Sequence, residues 1–191
     1  YKGLYFSLIL KPRISVDKAA LITLLAGVSI SEAVRESCAI EAQIKWPNDI
    51  MIANKKAGGI LTEIKAEVDE VGFMVIGVGL NINNDRKSLV EGAISLKEAT
   101  GAQEISRAMI LQSILKEFET NYSFLQQKGP KAMLDKWRRL SVTLGRRVRI
   151  SSHDDFIEGE AFDIDTDGGL LIRNDSGVTQ KVMAGDITFC R

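Results

Sequence analysis

The chain has 191 residues, enough for one large domain or a large one with a small companion. Hydrophobic residues make up 45% and charged residues 26%, which excludes a disordered chain and allows a buried core. The 25 basic and 25 acidic side chains cancel, which argues against a dedicated nucleic-acid binder.

Tyr1 to Leu10 reads as a strand already under way, and a first residue other than Met predicts a chain that is N-terminally incomplete. Pro12 breaks that strand and Asp17 is the expected N-cap of a helix running to about Cys38. Leu21, Leu24, Leu25, Val28 and Val34 recur along it at helical spacing. The uncharged stretch from Ala19 to Ile30 is too short for a membrane span of about 18 residues. Short strands follow at Ile44–Trp46, Asp49–Ile52 and Gly59–Ile64, with Asn54-Lys55-Lys56 as a turn, and Phe73–Ile82 reads as a strand covered on both faces. Strands so closely spaced favour antiparallel pairing.

Ser95-Leu96-Lys97-Glu98 fits a capping box for a short helix that Gly101 ends. Ser106 opens a longer helix whose stripe carries Ile110, Ile114, Phe118, Tyr122 and Leu125. Gly129-Pro130 starts another, with Met133, Leu134, Trp137 and Leu140. The pattern then changes to five short strands, from Val148–Ile150 to Ile187–Thr188–Phe189, punctuated by Asp165–Gly169 and Asn174–Gly177. The expected architecture is therefore α+β. A mixed or antiparallel sheet packs with helices over residues 1–141, and a small SH3-like β-barrel fills 142–191. No low-complexity segment interrupts either part.

The chemistry concentrates in Lys45-Trp46-Pro47-Asn48-Asp49, followed by Lys56-Ala57-Gly58-Gly59-Ile60-Leu61. Pro47 pushes Trp46 towards an extended conformation and Asn48-Asp49 favours a turn. Two glycines within a strand weaken it unless a bulge or a ligand lies against bare backbone, and a lysine beside such a strip can pair with an anion. The other reading of a lysine at a hairpin end is a solvated charge. Gly77-Val78-Gly79-Leu80-Asn81 is a second glycine cluster. It has no third glycine and no following helix, so it is weak support for a dinucleotide site. With no Walker lysine either, a nucleotide has to be held in another way. The amide of Asn81 could meet a base edge or simply close a turn.

Together these segments resemble the catalytic domain of biotin–protein ligases (biotin–[acetyl-CoA-carboxylase] ligases), along the whole chain. That resemblance implies a biotin/lipoate ligase-like fold and the joining of biotin to ATP, with Mg²⁺, as biotinoyl-5′-AMP. Transfer to a lysine of a biotin carboxyl carrier protein would follow. It implies that Lys56 and Lys45 are catalytic, and that Lys56, Gly59, Leu61, Gly77 and Leu80 contact biotin. Asn48, Asn81 and Arg191 are implied to contact the nucleotide; the spacing before Arg191 is one residue longer than the family's. The family's Gly/Arg-rich loop has no counterpart in these residues, so this chain by itself is expected to bind biotin weakly and to be catalytically impaired. The same fold also serves lipoate and octanoyl ligases and could persist as a non-catalytic binding module. The resemblance leaves monomer and homodimer open. Some members are also repressors with an N-terminal helix-turn-helix; nothing of that kind is in these residues, from which neither a nucleic-acid nor a membrane partner is expected.

Cysteine usage gives no disulfide framework: Cys38 and Cys190 suit a reducing cytoplasm. His153, the sole histidine, reads as a turn residue, and a histidine-based metal site is close to excluded. Arg138, Arg139, Arg146, Arg147 and Arg149 read as a salt-bridged surface, with an acidic partner as the alternative.

Overall fold

The computed structural model describes residues 2–12, 14–67, 70–152 and 155–190. Strands β1 (Leu4–Leu10), β2 (Ala42–Lys45), β3 (Asp49–Ile52), β4 (Lys55–Glu67) and β5 (Glu70–Leu80) form one antiparallel sheet in the order β1-β5-β4-β3-β2. Helix α1 (Ala20–Cys38) lies between this sheet and the helices α3 (Arg107–Lys128) and α4 (Lys131–Leu140). Leu21, Ile22, Leu24, Leu25, Val28, Ile30 and Val34 are therefore all buried, as a helix covered on two sides requires. The short α2 (Leu96–Thr100) is capped as expected: the Ser95 side chain accepts the Glu98 N–H at 3.2 Å. Ser106 caps α3 in the same way, through the Met109 N–H at 3.3 Å.

Two local expectations are corrected. Asp17 does not cap α1; it lies inside a single 3₁₀ turn, Val16–Lys18, and α1 begins behind Ala19 without a side-chain cap. The hairpin turn between β3 and β4 is Ala53-Asn54, both at positive φ (48° and 59°), so Lys55 and Lys56 belong to the strand. Two consecutive left-handed residues match the twist of the flanking strands, which lets β4 start earlier and run through Glu67.

The loop leaving β5 is tied to the start of α3. The Asn83 side chain donates to the Ile105 carbonyl and accepts from the Ile105 N–H, both at 2.8 Å. Because Asn83 is 9% exposed, Asn83→Ala leaves two sheltered backbone groups without partners. We expect it to lower unfolding stability by about 1–3 kcal/mol, read as a shift of the urea midpoint at unchanged slope.

Strands β6 (Arg146–Ser152), β7 (Asp155–Ile164), β8 (Leu170–Arg173), β9 (Thr179–Val182) and β10 (Asp186–Phe189) make a second antiparallel sheet, ordered β10-β6-β7-β8-β9. Among the described residues, ladder pairing stops at β9 and β10 and closes no ring, so the unit is a five-stranded SH3-like sheet instead of a closed barrel. Part of the arginine surface is salt-bridged. Arg149 and Arg147 hold the Glu158 carboxyl below the usual carboxylate range, and Arg138 reaches Asp163 at 2.7 Å. Both cysteines are free thiols. Among the described residues no helix is long and apolar enough to cross a membrane. His153 lies outside the described residues.

Candidate active site

Strand periodicity divides the first sheet into two faces. Ile44, Ile50, Ile60, Val78 and Leu80 are buried beneath the sheet. The opposite face carries a row fixed by register: Tyr5 beside Gly79, Gly79 beside Gly59, Gly59 beside Asp49, and Asp49 beside Lys45. The next row is Ser7, Gly77 and Leu61. Three glycines thus fall on one face of two neighbouring strands and leave backbone uncovered between Tyr5, Leu61 and Asp49. A shallow cleft of about 540 Å³ lies over them, within the size range of small-molecule sites.

The Lys56 ammonium overhangs this strip. It meets Asp49 Oδ1 at 2.5 Å, and a side chain at Gly59 would begin 3.6 Å from Lys56 Nζ. The Lys56 backbone is held independently of its side chain. Its N–H donates to the Gly92 carbonyl at 2.9 Å and its carbonyl accepts the Ile94 N–H at 3.0 Å. Lys56 is half exposed, so its ion pair adds only about 0–1 kcal/mol to stability. The pair's main effect is to fix one positive charge above bare backbone. Asn48 closes the cleft on the β3 side. Its side-chain amide donates to the Ile60 carbonyl at 2.8 Å, and its own carbonyl accepts the Ile60 N–H at 2.9 Å.

The structure therefore brings Lys56, Asn48, Gly59, Leu61 and Gly77 together around one cleft. It places other expected site residues elsewhere. Leu80 is 1% exposed and packs in the core, because it is one residue out of phase with Gly77 and Gly79. Asn81 follows the end of β5, where its side-chain amide donates to the Ile94 carbonyl at 3.3 Å. Lys45 lies at the end of the row, its Nζ 5.3 Å from the centre of the Phe189 ring. Arg191 lies outside the described residues. Asp49, read as a turn residue opening the strand Asp49–Ile52, is indeed the first residue of β3 and is in addition the partner of Lys56. Tyr5, Ser7 and Gly79 also line the cleft and were not among the expected residues. The alternating Gly-Val-Gly could have revealed Gly79, since residues two apart share a strand face.

Comparison with known proteins assigns the fold. The family model described as Biotin/lipoate A/B protein ligase family matches residues 2–139. The chain belongs to that family. A second model, the biotin protein ligase C terminal domain, matches residues 143–189 of this biotin/lipoate ligase family member. The chain is 36% identical over 189 residues to the bifunctional ligase/repressor BirA of Bacillus subtilis (strain 168), covering 97% of this chain and 58% of that protein. It is 32% identical over 174 residues to the biotin–[acetyl-CoA-carboxylase] ligase of Mycobacterium tuberculosis, covering 89% and 62% respectively. It thus spans somewhat under two thirds of the length of these relatives. The solved biotin protein ligase of Aquifex aeolicus in complex with biotin and ATP superposes with a TM-score of 0.83 at 28% identity. That match covers 100% of this chain and 79% of the other.

Proposed function

We propose that this chain carries chemistry for ATP-dependent attachment of biotin to a lysine of the biotin carboxyl carrier protein of acetyl-CoA carboxylase, through biotinoyl-5′-AMP. The observation that supports it most is the Lys56 ammonium fixed 3.6 Å from where a Gly59 side chain would begin, above an uncovered strip. A flat ring system can lie on bare backbone at Gly59 and Gly77, beside the Tyr5 ring that covers Gly79, with Leu61 as its apolar flank and its carboxylate towards Lys56. That carboxylate attacks the α-phosphorus of ATP, the bond to the β-phosphate oxygen breaks, and pyrophosphate leaves. Lys56 offers a preorganised cation where negative charge accumulates on the α-phosphoryl group. In the second step the neutral amine of the carrier lysine attacks the acyl carbon. AMP departs and the amine loses its proton as the amide forms. We assign Asn48 and Asn81 to the nucleotide side, Lys45 to the electrostatics of the outer phosphates, and the domain junction to Ser141–Val142.

The donor set is compatible with Mg²⁺ arriving on the nucleotide. Among the described residues no cluster of three metal ligands exists, and Asp49 is the only carboxylate lining the cleft. One carboxylate plus phosphate oxygens is a common Mg²⁺ arrangement, so Asp49 is the residue that would hold it. When bound, the ion neutralises phosphate charge.

The test is biotin-dependent pyrophosphate release from ATP by the intact protein, followed by labelling of carrier protein; no release overturns the ligase reading. Ligand choice is read separately by thermal shift. At a hundredfold excess over Kd, biotin is expected to stabilise the protein by about 2.7 kcal/mol, with no shift from lipoate or octanoate. The reverse pattern replaces biotin by one of those acids.

A further inference from the structure

Trp46 lies inside the Lys45–Asp49 segment, yet it does not face the cleft. It is 2% exposed and bonded twice to the second half of the chain. Its backbone N–H donates to Thr143 Oγ1 at 2.9 Å, and its indole N–H donates to the Gly168 carbonyl at 3.2 Å. Thr143 is fully buried, and Gly168, at φ +93°, brings the turn between β7 and β8 against Leu24 and Ala20 of α1. On one side of Trp46, the Ile44 carbonyl accepts the Val142 N–H at 2.9 Å, and Lys45 and Arg146 both stand over the Phe189 ring, at 5.3 and 4.8 Å. On the other side, Asn48 is clamped to Ile60 and Asp49 to Lys56. The segment is therefore held from two directions, by Thr143 ahead of β6 and the β7–β8 turn at Trp46, and by β4 at Asn48.

We propose that Trp46 and Thr143 are positioning residues, through which the segment ahead of β6 and the β7–β8 turn set the placement of Lys45, Asn48 and Asp49 along the cleft. This deepens the ligase reading and concerns the same site. The physical basis is that the Thr143 hydroxyl is the acceptor of a buried backbone N–H. Removing it forces that group to find another partner by shifting the segment. A shift of about 1 Å at groups that meet the reacting phosphates is enough to slow a reaction 10- to 100-fold.

The experiment compares Thr143→Val, which is nearly isosteric, with Thr143→Ser, which retains the hydroxyl, and with Trp46→Phe, which loses only the indole N–H and part of the ring. Each is measured in the intact protein. The readouts are kcat for biotin-dependent pyrophosphate release per biotin-binding site, Kd for biotin, and amide hydrogen exchange at Ile60, the partner of Asn48. The expected result for Thr143→Val is a kcat lowered about 10- to 100-fold with biotin Kd within twofold of wild type and faster exchange at Ile60. Thr143→Ser should restore all three, and Trp46→Phe should fall between. If Thr143→Val merely lowers the folded fraction, with kcat per site and Ile60 exchange unchanged, the contact only stabilises the molecule and the proposal fails. Faster Ile60 exchange in a protein without biotin-dependent turnover sustains the positioning while sinking the ligase reading, so the two failures are distinguishable.

Discussion

Lys56→Ala is expected to slow biotin-dependent pyrophosphate release about 100-fold, roughly 3 kcal/mol of lost transition-state stabilisation, while leaving Tm nearly unchanged. The two effects separate because two different parts of the residue cause them. The backbone of Lys56 keeps its bonds to Gly92 and Ile94 whatever side chain it carries. The side chain makes one half-exposed ion pair, with Asp49, whose loss is a minor cost. In the cleft, by contrast, the ammonium is the one cationic group among the described lining residues. Lys56→Arg keeps the charge but substitutes a planar fork for a compact ammonium, so partial recovery at most is expected. The measurements are kcat and biotin Kd in the intact protein beside a thermal melt. Carrier protein charged at the normal rate by Lys56→Ala rules out this residue as the source of the rate enhancement.

The features legible in the sequence are those with short-range physical causes. The capping Ser95 and Ser106, the helix-ending Gly101, the Gly129-Pro130 break before α4 and the change to short strands after Leu144 each act within a few residues of where they are written. The glycine strip is also local in origin, since a period of two places Gly77 and Gly79 on one face. Features that depend on register or distant packing escaped. The same period of two puts Leu80 on the face opposite Gly77 and Gly79; what the local sequence does not show is which of the two faces meets α1. Asp49 looked like a turn residue because its pairing with Lys56 follows from a hairpin turn at Ala53-Asn54 in place of the expected Asn54–Lys56. Trp46 is the extreme case: its two partners lie 97 and 122 residues away. Asp17 has the chemistry of a helix cap, but the chain makes a 3₁₀ turn there before α1 begins.

Adjacent glycines at 58 and 59 are expected to respond to substitution in opposite ways. At Gly58 a β-carbon would lie 2.5 Å from the Gly79 carbonyl oxygen and closer still to the Leu80 side chain. The backbone of β5 would have to yield, so Gly58→Ala should cost about 1–3 kcal/mol of stability and lower Tm. At Gly59 a β-carbon meets Lys56 Cε at 3.5 Å and Asp49 Oδ1 at 3.6 Å, which is ordinary contact. Gly59→Leu should therefore fold, since a side chain in a strand interior replaces an entropically costly glycine. Its isobutyl group, however, would occupy the bare strip beneath the Lys56 ammonium. Biotin Kd should rise by two orders of magnitude or more, equivalent to roughly 3 kcal/mol, with Tm at or above wild type. Calorimetric titration with biotin and a thermal melt on both variants decide the matter. If Gly59→Leu binds biotin normally, the vitamin does not lie on this face of the sheet. If Gly58→Ala is as stable as wild type, the close approach of β4 to β5 at Gly79 is not what requires glycine there.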